Sequence, residues 1–144
     1  TLRVKCLRTG AKPPHYASAS AAGADLYACL DAPVTIAPGQ TAFLPTGIAL
    51  EIPTGFAGLI YARSGLACKQ GLAPANKVGV IDPDYRGEVL IALHNHSDAA
   101  RTIEPGDRIA QLILTPYLTV DFQCAEALTE TDRGAGGFGS TGGK

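Results

Sequence analysis

The sequence predicts an all-β fold. Of its 144 residues, 46% are hydrophobic and only 17% are charged, yet 17 are Gly and 10 are Pro. Such an apolar but turn-rich composition favours many short strands over long helices. Turn signals recur at short spacing along the chain, which is typical of a sandwich, a jelly roll or a barrel. The length indicates a single domain with a sizeable core.

Charge and hydropathy narrow the classes of partner. The net charge is −1, and no basic run or aromatic-interleaved basic patch occurs. We therefore expect no nucleic-acid partner. No run approaches ~20 apolar residues and the first residues do not open a secretory signal. We expect a soluble protein with no membrane partner, located in the cytoplasm, with nuclear and organellar locations left open.

The four cysteines are Cys6, Cys29, Cys68 and Cys124, and none belongs to a C-x-x-C pair. Neither a zinc site nor a disulfide framework is indicated by this spacing. We predict reduced and mostly buried thiols.

The first strands follow from alternation and punctuation. Residues 2–7 alternate apolar and polar side chains, and residues 22–29 form a second short run with Asp25 near its start. Between residues 34 and 61, turns are predicted at Pro38-Gly39, Pro45-Thr46-Gly47 and Pro53-Thr54-Gly55, because proline presets the first turn angle and glycine accepts a positive one. Taken alone, Asp25 is as well explained by a solvated surface carboxylate.

The strand at residues 56–61 leads into Ala62-Arg63-Ser64-Gly65-Leu66-Ala67. Ser64 could cap a short helix, Gly65 lets backbone N–H groups approach an anion, and Arg63 supplies a forked cation. A phosphate cradle and an ordinary capped turn explain this hexapeptide equally well.

The most constrained stretch runs from Val78 to Glu88, with Asn76 just upstream. Asp82-Pro83-Asp84 is predicted to lie at the tip of a hairpin. Pro83 biases Asp82 towards an extended backbone, Tyr85 places a ring beside it, and Gly79 removes a side chain from the incoming strand. A pocket containing an acid is indicated, although an acidic surface turn explains the stretch in isolation.

Two further strands are predicted after it. Residues 88–95 form one, and His94 and His96 at its end share a face, either as a metal site lacking an obvious third ligand or, more simply, as a solvated strand end. Residues 108–114 form the other, buried on both faces. Gln111 within it needs a partner, because an unpaired buried amide costs on the order of 1–3 kcal/mol.

The glycine-rich tail begins at Arg133. Its formal G-x-G-x-x-G is not a dinucleotide site, because no strand closely precedes it and no helix can follow. It is either a flexible linker or an arm that orders on phosphate, and the second is favoured by Arg133, Phe138, Ser140 and Thr141 among the glycines.

Five separated motifs in a fixed order resemble the trimeric deoxyuridine triphosphate nucleotidohydrolases, the dUTPases, over nearly the whole chain. The motifs are Ala22-Gly23-Ala24-Asp25-Leu26, Ala62-Arg63-Ser64-Gly65-Leu66, Asn76-x-x-Gly79-x-Ile81-Asp82-x-Asp84-Tyr85-x-Gly87, Arg108-Ile109-Ala110-Gln111-Leu112 and Arg133-Gly134-x-Gly136-Gly137-Phe138-Gly139.

The resemblance implies a jelly-roll-like β-barrel of the β-clip type, a homotrimer with C-terminal arm exchange, and active sites assembled from all three chains. Residues 1–132 would form the barrel, and residues 133–144 a flexible arm closing a site of the trimer. The implied reaction is Mg²⁺-dependent hydrolysis of dUTP to dUMP and pyrophosphate, which limits uracil in DNA and supplies dUMP for thymidylate synthesis. Ala62 departs from the usual proline, which affects only how rigidly Arg63 is presented.

Residue roles follow from the same resemblance. Asp82 would be the general base for a water attacking the α-phosphorus, since a carboxylate is ionised at neutral pH. Tyr85 would pack under the deoxyribose, and Asn76 with the backbone from Gly79 to Ile81 would read uracil. The resemblance also implies that Arg63, Ser64 and Gly65 bind the phosphates and that Asp25 and Gln111 hold waters of the Mg²⁺. The arm would close over the substrate, with Phe138 stacked on uracil. Its implied site residues are Arg133, Phe138, Gly139, Ser140 and Thr141.

Two alternatives have other chemistry. The dCTP deaminases of the same fold carry a glutamate three residues before an Asn in the strand after the hairpin, where this chain has Ala92. Without that acid, no group is evident to activate water at a cytosine ring. A non-enzymatic jelly-roll binding protein is the other alternative, and it leaves the Arg-Ser-Gly turn and the arm unexplained.

Overall fold

The computed structural model describes residues 1–137. Their elements, in chain order, are β1 (Arg3–Cys6), β2 (Ala24–Tyr27), β3 (Val34–Ile36), β4 (Thr41–Glu51), β5 (Phe56–Tyr61), α1 (Ser64–Gln70), β6 (Leu72–Pro74), β7 (Gly79–Ile81), β8 (Glu88–Asn95), β9 (Arg101–Ile103) and β10 (Arg108–Pro116). The all-β prediction is confirmed, with one short helix added.

The strands form two four-stranded antiparallel sheets and a two-stranded ribbon. One sheet has the order β1-β4-β8-β6, the other β2-β10-β5-β7, and β3 pairs with β9. Consecutive strands repeatedly fall in different sheets, which is jelly-roll-like topology. Within residues 1–137 the two sheets do not join into a closed barrel, so closure is the part of the fold prediction that was wrong.

The core lies between the sheets and follows strand alternation. On β8, Val89, Ile91 and Leu93 are buried, whereas the even-numbered side chains point outward. On β10, Ile109 and Ala110 are both fully buried beside a register shift against β2. From Gln111 onward only Leu112 is buried and its neighbours are half-buried, so the predicted burial on both faces holds only at the start of the strand. Buried polar side chains in the described part of the chain all have hydrogen-bond partners.

Pro45-Thr46-Gly47 is not a turn between strands, contrary to prediction. β4 continues through it with a register shift against β8 between Pro45 and Ala49. Gly47 has φ +71°, and its N–H donates to Glu88 Oε1 at 2.7 Å, while Thr46 Oγ1 donates to the Val89 carbonyl at 2.6 Å. These hydrogen bonds with β8 hold the Pro45-Thr46-Gly47 segment as a bulge within one long strand.

The predicted hairpin around Asp82 is also wrong. β7 pairs with β5 and β8 pairs with β4 and β6, so residues 82–87 connect the two sheets. The apolar runs on both sides are equally compatible with a hairpin and with a connection between two sheets, so the local sequence does not distinguish these two arrangements.

Two smaller expectations differ from the structure. Arg63, not Ser64, is the N-cap of α1, and no side chain caps its first turn. All four cysteines are free as predicted, but Cys6, Cys68 and Cys124 are exposed and only Cys29 is buried. Three of them lie on an edge strand, a short exposed helix and the C-terminal segment, which offer no cover.

After β10 ends at Pro116, residues 117–137 contain no helix or strand. Several of their apolar side chains are open to solvent, including Leu118 at 92%, Phe122 at 95% and Leu128 at 88%. The predicted boundary at residues 132/133 stays a prediction. Among the described residues, no helix is long and apolar enough to cross a membrane.

Candidate active site

A cavity of about 240 Å³ opens beside β7 and β8. Its wall includes Asn76, Gly79, Ile81, Asp82 and Tyr85, which the sequence predicted as a group. Its volume lies just below the ~300–1,000 Å³ typical of small-molecule sites, which suits a nucleoside better than a whole triphosphate.

The turn at the cavity rim is fixed by its own hydrogen bonds. The Tyr85 N–H donates to the Asp82 carbonyl at 3.2 Å. Arg86 NH1 donates to the carbonyls of Pro83 at 2.6 Å and of Tyr85 at 3.0 Å. Asp82 is therefore held by a closed turn instead of a free loop.

The Tyr85 ring is held by its hydroxyl and by a glycine. Its OH donates to the Glu88 carbonyl at 2.9 Å. A Cβ on Gly87 would collide with the ring and the hydroxyl oxygen. Gly87 is required here by close approach of the aromatic ring, a role that a backbone-angle argument does not provide.

The opposite wall comes from the β6–β7 connection. Lys77 has φ 65°, an unusual angle for a residue other than glycine, and the Val78 N–H donates to the Asn76 carbonyl at 2.7 Å. A Cβ on Gly79 would lie 3.2 Å from Ile60 Cβ and 3.3 Å from Asn76 Nδ2. This tight turn holds the Asn76 amide against the β7 backbone.

Asp82 lies where two depressions meet. Besides the nucleoside-sized cavity, it borders an open depression of about 530 Å³ with Thr54, Arg86 and Tyr117. Its side chain is exposed. The carboxylate is thus accessible to water and borders the nucleoside-sized cavity, as a general base requires.

A second, separate cavity of about 380 Å³ contains the other predicted residues, Asp25, Arg63, Ser64, Gly65 and Gln111. It shares no lining residue with the first cavity. One chain therefore carries two separate cavities, one of nucleoside size and one that places the Arg63 guanidinium beside a backbone turn.

An ion-pair network organises this second cavity. Arg63 Nε donates to Asp25 Oδ1 at 2.7 Å, and Arg108 NH1 donates to Asp25 Oδ2 at 3.2 Å. Asp25 itself is only 8% exposed, so the surface-carboxylate interpretation is wrong. The carboxylate fixes the Arg63 Nε–H, and Arg63 NH1 donates to the Arg108 carbonyl at 3.4 Å. The remaining N–H groups of the guanidinium are left for an anion.

Gln111 is half-buried and its side-chain amide has the partner that the sequence predicted. Its Nε2 donates to the Ala62 carbonyl at 2.8 Å, and its Oε1 lies against Gly23, where a Cβ would collide with it. Gln111 therefore bridges the Ala62–Gly65 turn and the Gly23–Asp25 segment.

The side-chain oxygens of Asp25 and Gln111 fit a hydrated Mg²⁺ better than a directly ligated metal. Each Asp25 oxygen accepts one hydrogen bond and keeps a lone pair, and Gln111 presents Oε1. Mg²⁺ keeps several waters and binds largely through substrate phosphates. Within residues 1–137, no cluster of three or more His, Cys, Asp or Glu could ligate a metal directly.

The arm residues are the least described. Arg133 Nε donates to the Gly136 carbonyl at 3.0 Å, and Arg133 borders neither cavity. The predictions for Phe138, Gly139, Ser140 and Thr141 lie outside the described residues.

Sequence reasoning missed Glu88 and left Arg108 without a defined role. Glu88 lines the nucleoside-sized cavity, and Arg8 NH2 donates to its two carboxylate oxygens at 2.9 and 2.8 Å. The partners are 80 positions apart, so no local signal could have found this pair.

Comparisons with known proteins now bear on this geometry. The dUTPase family model matches residues 9–142. The chain belongs to the dUTPase family. Its similarity to the deoxyuridine 5'-triphosphate nucleotidohydrolase of Desulfitobacterium hafniense is 53% identity over 132 residues, covering 91% of this chain and 87% of the relative.

Solved dUTPases share the fold. The dUTPase of Staphylococcus bacteriophage 80alpha, solved with dUPNHPP, superposes with a TM-score of 0.90 at 30% identity, covering 99% of this chain and 98% of that one. A mutant dUTPase from phage phi11 of S. aureus, described with a structural Mg(II) ion, gives 0.78 at 29% identity over 88% of this chain and 97% of that one. The family resemblance and the jelly-roll-like fold class predicted from sequence are both confirmed.

Proposed function

We propose that this chain hydrolyses dUTP to dUMP and pyrophosphate, with Asp82 as the base that activates the attacking water. The observation that carries the proposal is the nucleoside-sized cavity, walled by Asn76, the β7 backbone and Tyr85, with the Asp82 carboxylate at its rim. The family membership of the chain supports the same substrate.

The cavity suits a uracil deoxynucleoside. The Asn76 amide and the backbone from Gly79 to Ile81 offer both donors and acceptors to a pyrimidine edge. Cytosine would leave some of them unpaired, which can discriminate by as much as ~10⁴-fold. The Tyr85 ring lies close against Gly87. Packed under the deoxyribose, it would leave no space for a 2′-hydroxyl.

The second cavity would bind the phosphates. Arg63 would supply the cation. The space beside Gly65 is open, since a Cβ there would meet nothing within 4 Å, so an anion could reach the backbone N–H groups at Ser64 and Gly65. Asp25 and Gln111 would hold waters of a Mg²⁺, which would neutralise phosphate charge when bound. Asp82 takes a proton from the water while the water oxygen attacks the α-phosphorus. Pyrophosphate leaves and dUMP remains.

We further propose a homotrimer in which each site combines half-sites from different chains. The proposal is supported by the division of the site residues between two cavities without a common lining residue, which a second chain would bring together. Phe43 and Leu90, 72% and 52% exposed on the outward face of β4 and β8, provide apolar surface for such a contact. Arg133, Phe138, Gly139, Ser140 and Thr141 would close over the site of a neighbouring chain.

The alternative of deamination is disfavoured by the cavity wall. Ala92 contributes a methyl group where the deaminases carry an acid. The other acid on this wall, Glu88, is engaged by Arg8 and by the Gly47 N–H.

The test is incubation with Mg²⁺ and dUTP, dCTP, dTTP or UTP in separate reactions, following pyrophosphate and ammonia. We expect pyrophosphate from dUTP alone. Ammonia from dCTP, or no product from any nucleotide, would contradict the proposal.

Asp82→Asn should keep dUTP binding and lose most turnover. Asp84→Asn, in the same turn but outside the nucleoside-sized cavity, is its matched control. Normal turnover by Asp82→Asn would show that another group is the base.

The arm is tested by a deletion. Removal of residues 133–144 should sharply reduce turnover, while sedimentation still reports a folded trimer. Full activity after the deletion would remove the arm from the site, and a monomeric full-length protein would contradict the proposed assembly.

A further inference from the structure

The outward face of β8 ends in two histidines that the proposed reaction does not use. His94 follows Ala92 on that face, and His96 lies two residues further, just past the strand end. Their ring centroids are 4.4 Å apart, with an angle of 61° between the ring planes. His15, the remaining one of the three histidines in the chain, lies elsewhere and forms a backbone β-bridge with Asp25.

The distance between the rings is close to that of two imidazoles on one metal ion. A metal–nitrogen bond of about 2.0–2.1 Å puts the ring centroid about 3.2 Å from the metal. Two such rings at a tetrahedral or right angle therefore have centroids roughly 4.5–5 Å apart. The observed centroid separation of 4.4 Å lies close to this range.

Thr41 orients one of the two rings. Its Oγ1 lies 2.8 Å from His94 Nδ1, across the β4–β8 ladder. When His94 Nδ1–H donates to this hydroxyl, the lone pair of Nε2 is free for a metal. Metal-binding histidines almost always have such a partner on the other ring nitrogen.

The Lys77 ammonium lies near the two rings, and its charge repels a bound cation.

We propose that His94 and His96 form a two-histidine binding site for a late first-row divalent cation such as Ni²⁺, Cu²⁺ or Zn²⁺. Imidazole nitrogen suits these ions, whereas Mg²⁺ takes oxygen ligands, so this site is distinct from the phosphate half-site. No third protein ligand is present within residues 1–137, and waters complete the coordination.

The experiment is a calorimetric titration of untagged full-length protein with Ni²⁺, at pH 7.5, combined with NMR of the histidine ring protons. We expect one Ni²⁺ per chain, with broadening of the His94 and His96 signals before that of His15. His94→Gln and His96→Gln should each weaken binding by at least about 10-fold, whereas His15→Gln should leave it unchanged.

Two more variants separate this site from its competitors. Lys77→Asn, which keeps a residue tolerant of positive φ while removing the charge, should tighten Ni²⁺ binding several-fold. Cys68→Ser tests the exposed thiols and should not change it. Unchanged affinity in either single histidine variant, or loss of binding in Cys68→Ser, would overturn the proposal.

Discussion

Asp25 and Arg63 are joined by a 2.7 Å hydrogen-bonded ion pair, although they are 38 positions apart and lie in a strand and at a helix N-cap. The pair is largely covered, with side-chain exposures of 11% and 27%. It explains how Arg63 is presented without a preceding proline: Asp25 fixes the guanidinium directly, and Gln111 fixes the Ala62 carbonyl.

Asp25→Asn should therefore reduce both stability and turnover. Loss of the charge weakens hydrogen bonds from two arginines, which we expect to lower the free energy of unfolding by about 1–3 kcal/mol. Urea denaturation measures this change. Glu51→Gln, which alters the exposed Arg3–Glu51 pair, is the control and should cost less than about 1 kcal/mol. Equal losses in the two variants would contradict a structural role for Asp25.

Gly87→Ala should change sugar selectivity. The added methyl group must displace the Tyr85 ring, so we expect a higher KM for dUTP and a smaller preference for dUTP over UTP. Tyr85→Phe is the matched control, because it loses only the bond to the Glu88 carbonyl and keeps the ring. Steady-state kinetics with both nucleotides measures the ratio. An unchanged ratio in Gly87→Ala would separate the ring position from selectivity.

Gly47→Ala and Gly39→Ala separate steric from conformational cost. Their φ angles are nearly equal, +71° and +72°, but a Cβ at Gly47 would lie 2.8 Å from Ala11 Cβ and 2.9 Å from Cys29 Sγ, whereas one at Gly39 meets nothing within 4 Å. We expect about 1–2 kcal/mol of destabilisation for Gly39→Ala and more for Gly47→Ala. Thermal denaturation compares them, and equal losses would mean that the bulge relaxes around the methyl group.

His96 should titrate below pH 6.5, because partial desolvation, His94 and Lys77 all disfavour its protonated form. The sign follows: as pH falls through 6.5 the unfolded chain binds the proton first, so this group destabilises the fold on acidification and not above neutrality. His94→Gln should raise the pKa of His96, which NMR titration of the ring protons measures. A pKa that stays unchanged would exclude coupling between the rings.

Much of the candidate site could be predicted because its requirements are local. Asn76, Gly79, Asp82 and Tyr85 lie within ten residues of one another, so a short segment brings them to one cavity. The environments of Asp25 and Glu88 could not be predicted from the sequence. Each is defined by arginines far away in sequence, and the local residues are equally compatible with a solvated carboxylate.

The sequence by itself determined the all-β class, most strand positions and the groups of site residues, because alternation and turn chemistry act over a few residues. Only the tertiary structure decided that Pro45-Thr46-Gly47 is a bulge, that residues 82–87 connect two sheets, and that the site residues divide between two cavities. The physical reason is that strand partners are selected by contacts across the fold. An apolar run is by itself compatible with either sheet. Contacts between distant segments, such as those of Glu88 with Arg8 and with the Gly47 N–H, exist only in the folded chain.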